Sequence, residues 1–304
     1  MADVISSAAN PLIKRMRALS DRRHRRREGA FVVQGVQLVW QAVEAGADIE
    51  ALIVAPDLLS RPATVRMVAQ QEDRGLRVIR VSGALFGRLA DRDGPSGLAA
   101  IVRSRLADLA DLQVRPDSVF VALHEVANPG NLGTIIRTAD AAGAAGVVLI
   151  GATADPFDPA AVKASMGALF SVPVAHVSSA EEFLAWSAGR GITVAAASGR
   201  GTGTFWESEL ALPLALLLGS EGPGLPASLL SAADLQLRIP MVGTAESLNL
   251  AVAAGILMYE ACRKARAGPA LRTRPDISEA GGSGPSRAAT RSGGAERRQG
   301  EAKR

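Results

Sequence analysis

The stretch NPGNLGTIIRTADAAGA, residues 128–144, reads as a loop that opens a helix. Leu132, Ile135, Ile136 and Ala139 recur at helical spacing and make one apolar face, and Arg137 points away from it. A permanent cation close to a helix start opposes the helix dipole, at a cost of ~0.3–1 kcal/mol. The cost makes sense if an anion, such as an RNA phosphate, sits in the loop 128–131. A helical side chain leans back toward the N-terminus, over the residue four positions earlier. For Arg137 that residue is Gly133, which leaves room for the guanidinium to reach the loop. Asn131 is expected to cap the helix, and Gly130 to let a ligand approach the backbone. A salt bridge from Arg137 to Asp140 or Glu125 would occupy the same side chain without any ligand.

Two further stretches have the same form, a strand that ends in a glycine turn. LLLGSEGPGLP, residues 216–226, places Gly219, Gly222 and Gly224 beyond an apolar strand, with Glu221 among them. IPMVGTAESLNLAVAAGILMYE, residues 239–260, runs from a strand through a turn into a helix rich in small residues, with Ser247 and Asn249 as its caps. Ligands of parallel α/β sheets bind beyond the carboxyl ends of strands. A tight turn with a surface carboxylate is the plainer use of 216–226, and helix capping that of Ser247 and Asn249.

These stretches sit in a chain of 304 residues, long enough for two domains. An alternation of short strands and helices over 1–104 predicts a small α/β domain. Within it, RRHRRREG (22–29) reads as a basic turn, and a helix is expected over 58–71. Residues 105–117, polar and with a proline, read as a linker. A second alternating set over 118–266 carries the strands 119–125, 146–151, 192–198, 214–219 and 235–240, whose apolar runs suit a parallel sheet covered on both faces. From 267 to 304 the composition shifts to Gly, Ser, Arg, Ala and Glu with no apolar period, which predicts a disordered basic tail.

Charge follows the same divisions. The net +4 is made of +5 over residues 1–30, −5 over 31–267 and +4 over 268–304. Basic ends suit a polyanion such as RNA or DNA, and equally suit solubility. Aromatics make up 4% of the chain, too few for a surface that binds single strands mainly by stacking. One cysteine, Cys262, excludes an intrachain disulfide, and His24, His124 and His176 lack zinc-type spacing, so no metal is expected. There is no signal pattern and no apolar run of membrane-spanning length, so a cytoplasmic protein is expected. GRGTGTFW (199–206) departs from a dinucleotide fingerprint at Thr204 and has no amphipathic helix after it.

Taken together the three glycine-bearing stretches resemble the motifs of the SpoU/TrmH family of RNA ribose 2′-O-methyltransferases. The matching residues are Asn131-Leu132-Gly133 through Arg137-Thr138-Ala139, then Leu218-Gly219-Ser220-Glu221-Gly222 with Gly224, then Ile239-Pro240-Met241 with Ser247-Leu248-Asn249. The resemblance covers roughly 119–263. Residues 5–103 resemble the small L30e-like substrate-binding domain that often precedes this one.

The resemblance implies an α/β fold with a parallel sheet tied in a trefoil knot, S-adenosyl-L-methionine as cofactor, and a homodimer. It implies Gly219, Ile239 and Leu248 as cofactor contacts, Arg137 as the catalytic arginine, and Asn131, Glu221, Ser247 and Asn249 in support. The activity it implies is methylation of a ribose 2′-hydroxyl in structured RNA, with 23S rRNA first and tRNA next. A catalytically silent RNA-binding protein is the other reading. Two positions depart from the family pattern: Lys163 stands where arginine is common, and Gln34 where glutamate is usual.

Overall fold

The computed structural model describes residues 4–89 and 96–265. The described residues belong to one compact unit. The expected tail lies outside the described residues.

The first sheet has four strands, β1 (Ala30–Gln34), β2 (Ile49–Val54), β3 (Val78–Arg80) and β4 (Leu98–Arg103), in the order β1-β4-β2-β3. β4 runs antiparallel to β1 and β2, while β3 is parallel to β2. Around it lie α1 (Pro11–Ala18), α2 (Arg22–Glu28), α3 (Val36–Glu44), α4 (Pro62–Asp73) and α5 (Gly83–Gly87). The basic stretch 22–29 is thus a helix and not a turn. Asp21 accepts hydrogen bonds from the amides of Arg23 and His24, and Gly29 closes the other end at φ 61°. Arginine is a good helix former, so two caps hold seven mostly charged residues in place. The helix expected from Leu58 begins instead at Pro62, because proline suits a first turn and Pro56–Leu58 forms a 3-10 turn of its own.

The second sheet has seven strands: β5 (Val119–His124), β6 (Gly146–Ile150), β7 (Val174–Val177), β8 (Thr193–Ala197), β9 (Gly203–Thr204), β10 (Leu214–Leu218) and β11 (Leu235–Arg238). Their order is β7-β6-β5-β10-β8-β11-β9, and every pairing is parallel. Successive strand residues face opposite sides, so each strand feeds two cores. Val119, Val121 and Leu123 pack beneath α6 (Pro129–Ala142) and α10 (Leu250–Ala265). Phe120 and Ala122 face α8 (Ala180–Gly189) and α9 (Ala227–Ala232). Residues 105–117 carry a 3-10 turn, Leu109–Asp111, and bury Leu109 and Leu112 in that second core.

The two sheets meet through α7 (Pro159–Ser165), whose Val162 is buried in the core of the first sheet beside Phe31 and Val33. Phe31 stacks near Phe157 and Phe170, with ring centroids 4.8 and 6.3 Å away. On its other side α7 presses on α6. A Cβ at Gly133 would lie 2.3 Å from the Ala161 carbonyl oxygen and 2.8 Å from the Ala164 Cβ. Gly133 is therefore a packing glycine. Gly133→Ala is expected to cost about 1–3 kcal/mol of stability by overpacking. Urea unfolding measures it, and an unchanged midpoint would mean that α7 shifts freely.

Candidate active site

Helix α6 starts at Pro129, which puts the cap one residue earlier, at Asn128. Asn131 was expected in that role. Proline has no N–H and a fixed φ, so it takes the first helical position and leaves capping to the residue before it. Asn128 Oδ1 accepts from the Asn131 amide at 3.1 Å. The Asn131 side chain is thereby released for longer-range bonds. Its Nδ2 donates to Glu221 Oε1 at 2.6 Å, and its Oδ1 accepts from Asn249 Nδ2 at 3.1 Å. One amide thus ties together the turns after β5, β10 and β11. Asn249 also caps α10, accepting from the Ala251 amide at 2.9 Å, so that helix starts at Leu250 and Ser247 lies ahead of it, exposed.

Gly219 follows β10, and the chain doubles back over it at once. A Cβ there would lie 2.3–2.5 Å from backbone atoms of Gly224 and Leu225. The Gly224 amide donates to the Ser220 carbonyl at 3.1 Å, and Gly222 and Gly224 have φ of +95° and +71°, conformations side chains rarely adopt. After β11, Ile239 packs partly buried against the core under α6 and α10. Residues 241–249, which include Leu248 and a fully exposed Val242, are open to solvent.

Arg137 is exposed and, among the described residues, makes no hydrogen bond or ion pair. Neither Asp140 nor Glu125 holds it. The space over Gly133 expected to receive its guanidinium is filled by α7. Arg137 lies six positions beyond Asn131, which is about 9 Å along the axis and about 120° around the helix. Its own face carries Thr134, whose hydroxyl donates to the Gly130 carbonyl at 2.8 Å. Next to it, Thr138 touches α10 at Gly255, where a Cβ would meet its methyl at 3.6 Å.

Glu125 follows β5 with φ 52°, a left-handed conformation uncommon for a non-glycine residue. It is held there as its amide donates to the Ile150 carbonyl at 3.1 Å. Sequence reading weighed Glu125 only as a partner for Arg137, and no local signal announces its backbone strain. A cavity of about 370 Å³ opens beside it, lined by His124, Gly151, Ser178, Glu181 and Pro226. His124 Nδ1 is buried without a hydrogen-bond partner among the described residues. A second cavity, of about 530 Å³, lies between the first sheet and α7, with Arg17, Arg88, Lys163 and Gln34 on its walls. Both positions that depart from the family pattern face this one space. Gln34 donates from Nε2 to the Leu89 carbonyl at 3.1 Å. Among the described residues no group of three or more His, Cys, Asp or Glu is placed to hold a metal, and no helix is long and apolar enough to cross a membrane.

A parallel sheet whose strand-end turns converge on one polar junction has, at its carboxyl edge, the place where α/β proteins bind ligands. Residues 118–259 match the SpoU rRNA Methylase family, and residues 10–100 the MRM3-like substrate binding domain. The chain belongs to the SpoU rRNA methylase family. It is 34% identical over 263 residues to a 23S rRNA (uridine(2479)-2'-O)-methyltransferase of Streptomyces viridochromogenes, covering 84% of this chain and 90% of that one. It is 31% identical over 258 residues to a 23S rRNA (guanosine(2553)-2'-O)-methyltransferase of Bacillus subtilis, covering 84% and 97%. Among solved structures, an AdoMet-bound rRNA methyltransferase from Sinorhizobium meliloti superposes with a TM-score of 0.79 at 37% identity, covering 86% of this chain and 97% of that one.

Proposed function

We propose that this protein transfers a methyl group from S-adenosyl-L-methionine to a ribose 2′-hydroxyl of ribosomal RNA. The observation that carries the reading is the junction at Asn131, which gathers the three glycine turns on the helix that bears Arg137. The relatives above act on 23S rRNA, so it is the first substrate to test; one methylates a uridine and the other a guanosine. The choice of nucleotide therefore rests on residues outside the shared core. Lys163 and Gln34, together on the wall of the cavity between the sheet and α7, are candidates for that choice.

The residues present fit the cofactor. The turns 219–225 and 239–249 offer backbone amides and carbonyls, with residues 221–223 and 241–249 exposed, and Ile239 and Leu248 add apolar surface. When bound, the cofactor supplies an electrophilic methyl on a sulfonium. That methyl would pass in line to the ribose oxygen as the S–C bond breaks and leaves a thioether, with the hydroxyl proton passing to solvent water. Alignment alone can supply ~7–11 kcal/mol of such a barrier. Asn131, held by Glu221 and Asn249, fixes the turns that frame the donor, and Ser247 stands at the edge of the same loop. A guanidinium is a permanent cation with donors only, so Arg137 acts by gripping an RNA phosphate and steadying the developing alkoxide.

The chain works in this reading as a cytoplasmic homodimer. Arg137 and the Asn131 junction lie on different sides of α6, so a second copy completes the cleft. Val252 and Tyr259 expose apolar surface on α10, as Met241 and Val242 do on the preceding loop. The insertion of β10 between β5 and β8 supports the threaded, knotted path the resemblance implies. Residues 1–104 serve as the substrate-binding part, 105–117 as the connection and 118–266 as the methyltransferase part.

Methyl transfer from labelled cofactor to total RNA of a strain lacking this gene tests the reaction. Label on a ribose of rRNA is expected. Label on a base overturns the reaction, and label on tRNA overturns the substrate.

A further inference from the structure

Among the described residues Arg25 is the most deeply buried charge of the first sheet's part of the chain, 2% exposed on a helix that otherwise faces water with Arg22, Arg23, Arg26 and Arg27. Its guanidinium meets five oxygen contacts. Within its own part Nη1 donates to the carbonyls of Leu19 at 3.2 Å and Ser20 at 2.7 Å. Across to the second sheet's part, Nε and Nη2 both lie 2.8 Å from Asp155 Oδ2, and Nη2 lies 3.2 Å from Asp158 Oδ2. Beside it, Arg22 donates to the Thr153 carbonyl at 3.0 Å. No other described ion pair joins α2 to the methyltransferase part.

What Arg25 grips is tied directly to the site. Asp158 caps α7 through its other oxygen, which accepts from the Ala160 amide at 3.0 Å. That helix presses its Ala161 carbonyl into Gly133 of α6. The loop that carries Asp155 is pinned by the Ala154 amide, which donates at 2.7 Å to the carbonyl of Val126, three residues before α6 starts. Two short paths therefore lead from Arg25 to the helix of Asn131 and Arg137. A guanidinium with its donors filled from both sides fixes orientation as well as distance.

We propose that Arg25 is a positioning residue for methyl transfer: it latches the basic helix α2 to α7 and the 153–158 loop, so that RNA held by Arg23, Arg26 and Arg27 is delivered to Arg137. This rests on the RNA-methylation reading above. It divides one helix into two tasks, an outer face for affinity and one inward arginine for alignment.

The test is single-turnover methylation of an unmodified 23S rRNA transcript, with RNA and cofactor affinity measured separately. Arg25→Ala is expected to bind RNA and S-adenosylmethionine within about threefold of wild type, yet to react about 10–100-fold more slowly at saturating RNA, since misplacement by about 1 Å can cost 10²-fold. Asp155→Asn, which keeps the side chain's shape, is expected to slow in the same direction. The triple variant Arg23→Ala, Arg26→Ala, Arg27→Ala should show the opposite split, with weaker RNA binding, a shallower salt dependence and a near-normal saturated rate. Hydrogen exchange at the Ala154 amide should quicken in Arg25→Ala. A wild-type saturated rate in Arg25→Ala overturns the proposal, and so does loss of cofactor binding in both Arg25→Ala and Asp155→Asn, which would make the residue merely structural. If the wild-type protein methylates no RNA, the functional reading fails by itself; the latch is then judged on the exchange at Ala154, and unchanged protection overturns it.

Discussion

Arg137→Ala is expected to lower the single-turnover rate of methyl transfer by about 10²–10³-fold, the scale on which removal of one preorganised donor acts on a developing oxyanion. Cofactor affinity should stay near wild type, because the side chain is exposed and hydrogen-bonds to none of the described residues. Folding should also be unaffected, for the same reason; surface substitutions away from special features usually stay within about 0.5 kcal/mol. Arg137→Lys keeps the charge and loses the planar two-pronged grip. It is expected to recover only part of the rate. Full chemistry in Arg137→Lys on bound RNA would rule out both a bidentate role and an arginine base.

Gly219→Ala is the complementary case, in which binding fails before chemistry. The added Cβ would fall within 2.3–2.5 Å of the backbone of Gly224 and Leu225, and backbone cannot give way as a flexible side-chain tip can. The turn 220–224 would have to open, carrying Glu221 away from Asn131. Calorimetry is expected to show at least a tenfold loss of S-adenosylmethionine affinity, with overpacking costing about 1–3 kcal/mol of stability. Unchanged affinity would mean that this turn does not form the cofactor's seat.

The alternation of strands and helices was legible because the second sheet's strands are continuous apolar runs, and runs such as LALLL are buried on both faces. The three turns were legible as strand ends followed by glycines. Their convergence was not, since Asn131 lies 90 residues from Glu221 and 118 from Asn249. Local rules also misplaced roles that depend on packing. Asn131 satisfied the preferences of a cap, but Pro129 moved the helix start and gave that role to Asn128. Gly133 suggested room for Arg137, whereas the space belongs to the Ala161 carbonyl. The run RRHRRRE masked both a helix and its one buried arginine, because charge density argues for solvent everywhere until Asp155 and Asp158 arrive from about 130 residues away. The two aspartates of ADPFDP were the available signal, a carboxylate pair opposite an arginine-rich segment.

The central claim is spatial: the guanidinium of Arg137 and the methyl of the donor border one cleft, formed within one chain or between two copies. The structure of the protein with S-adenosylmethionine bound measures this directly. The account predicts the sulfonium methyl between the turns 219–225 and 239–249, facing a space that an Arg137 side chain of the same or a second copy also faces. A bound donor whose methyl opens toward neither copy's Arg137 would contradict it.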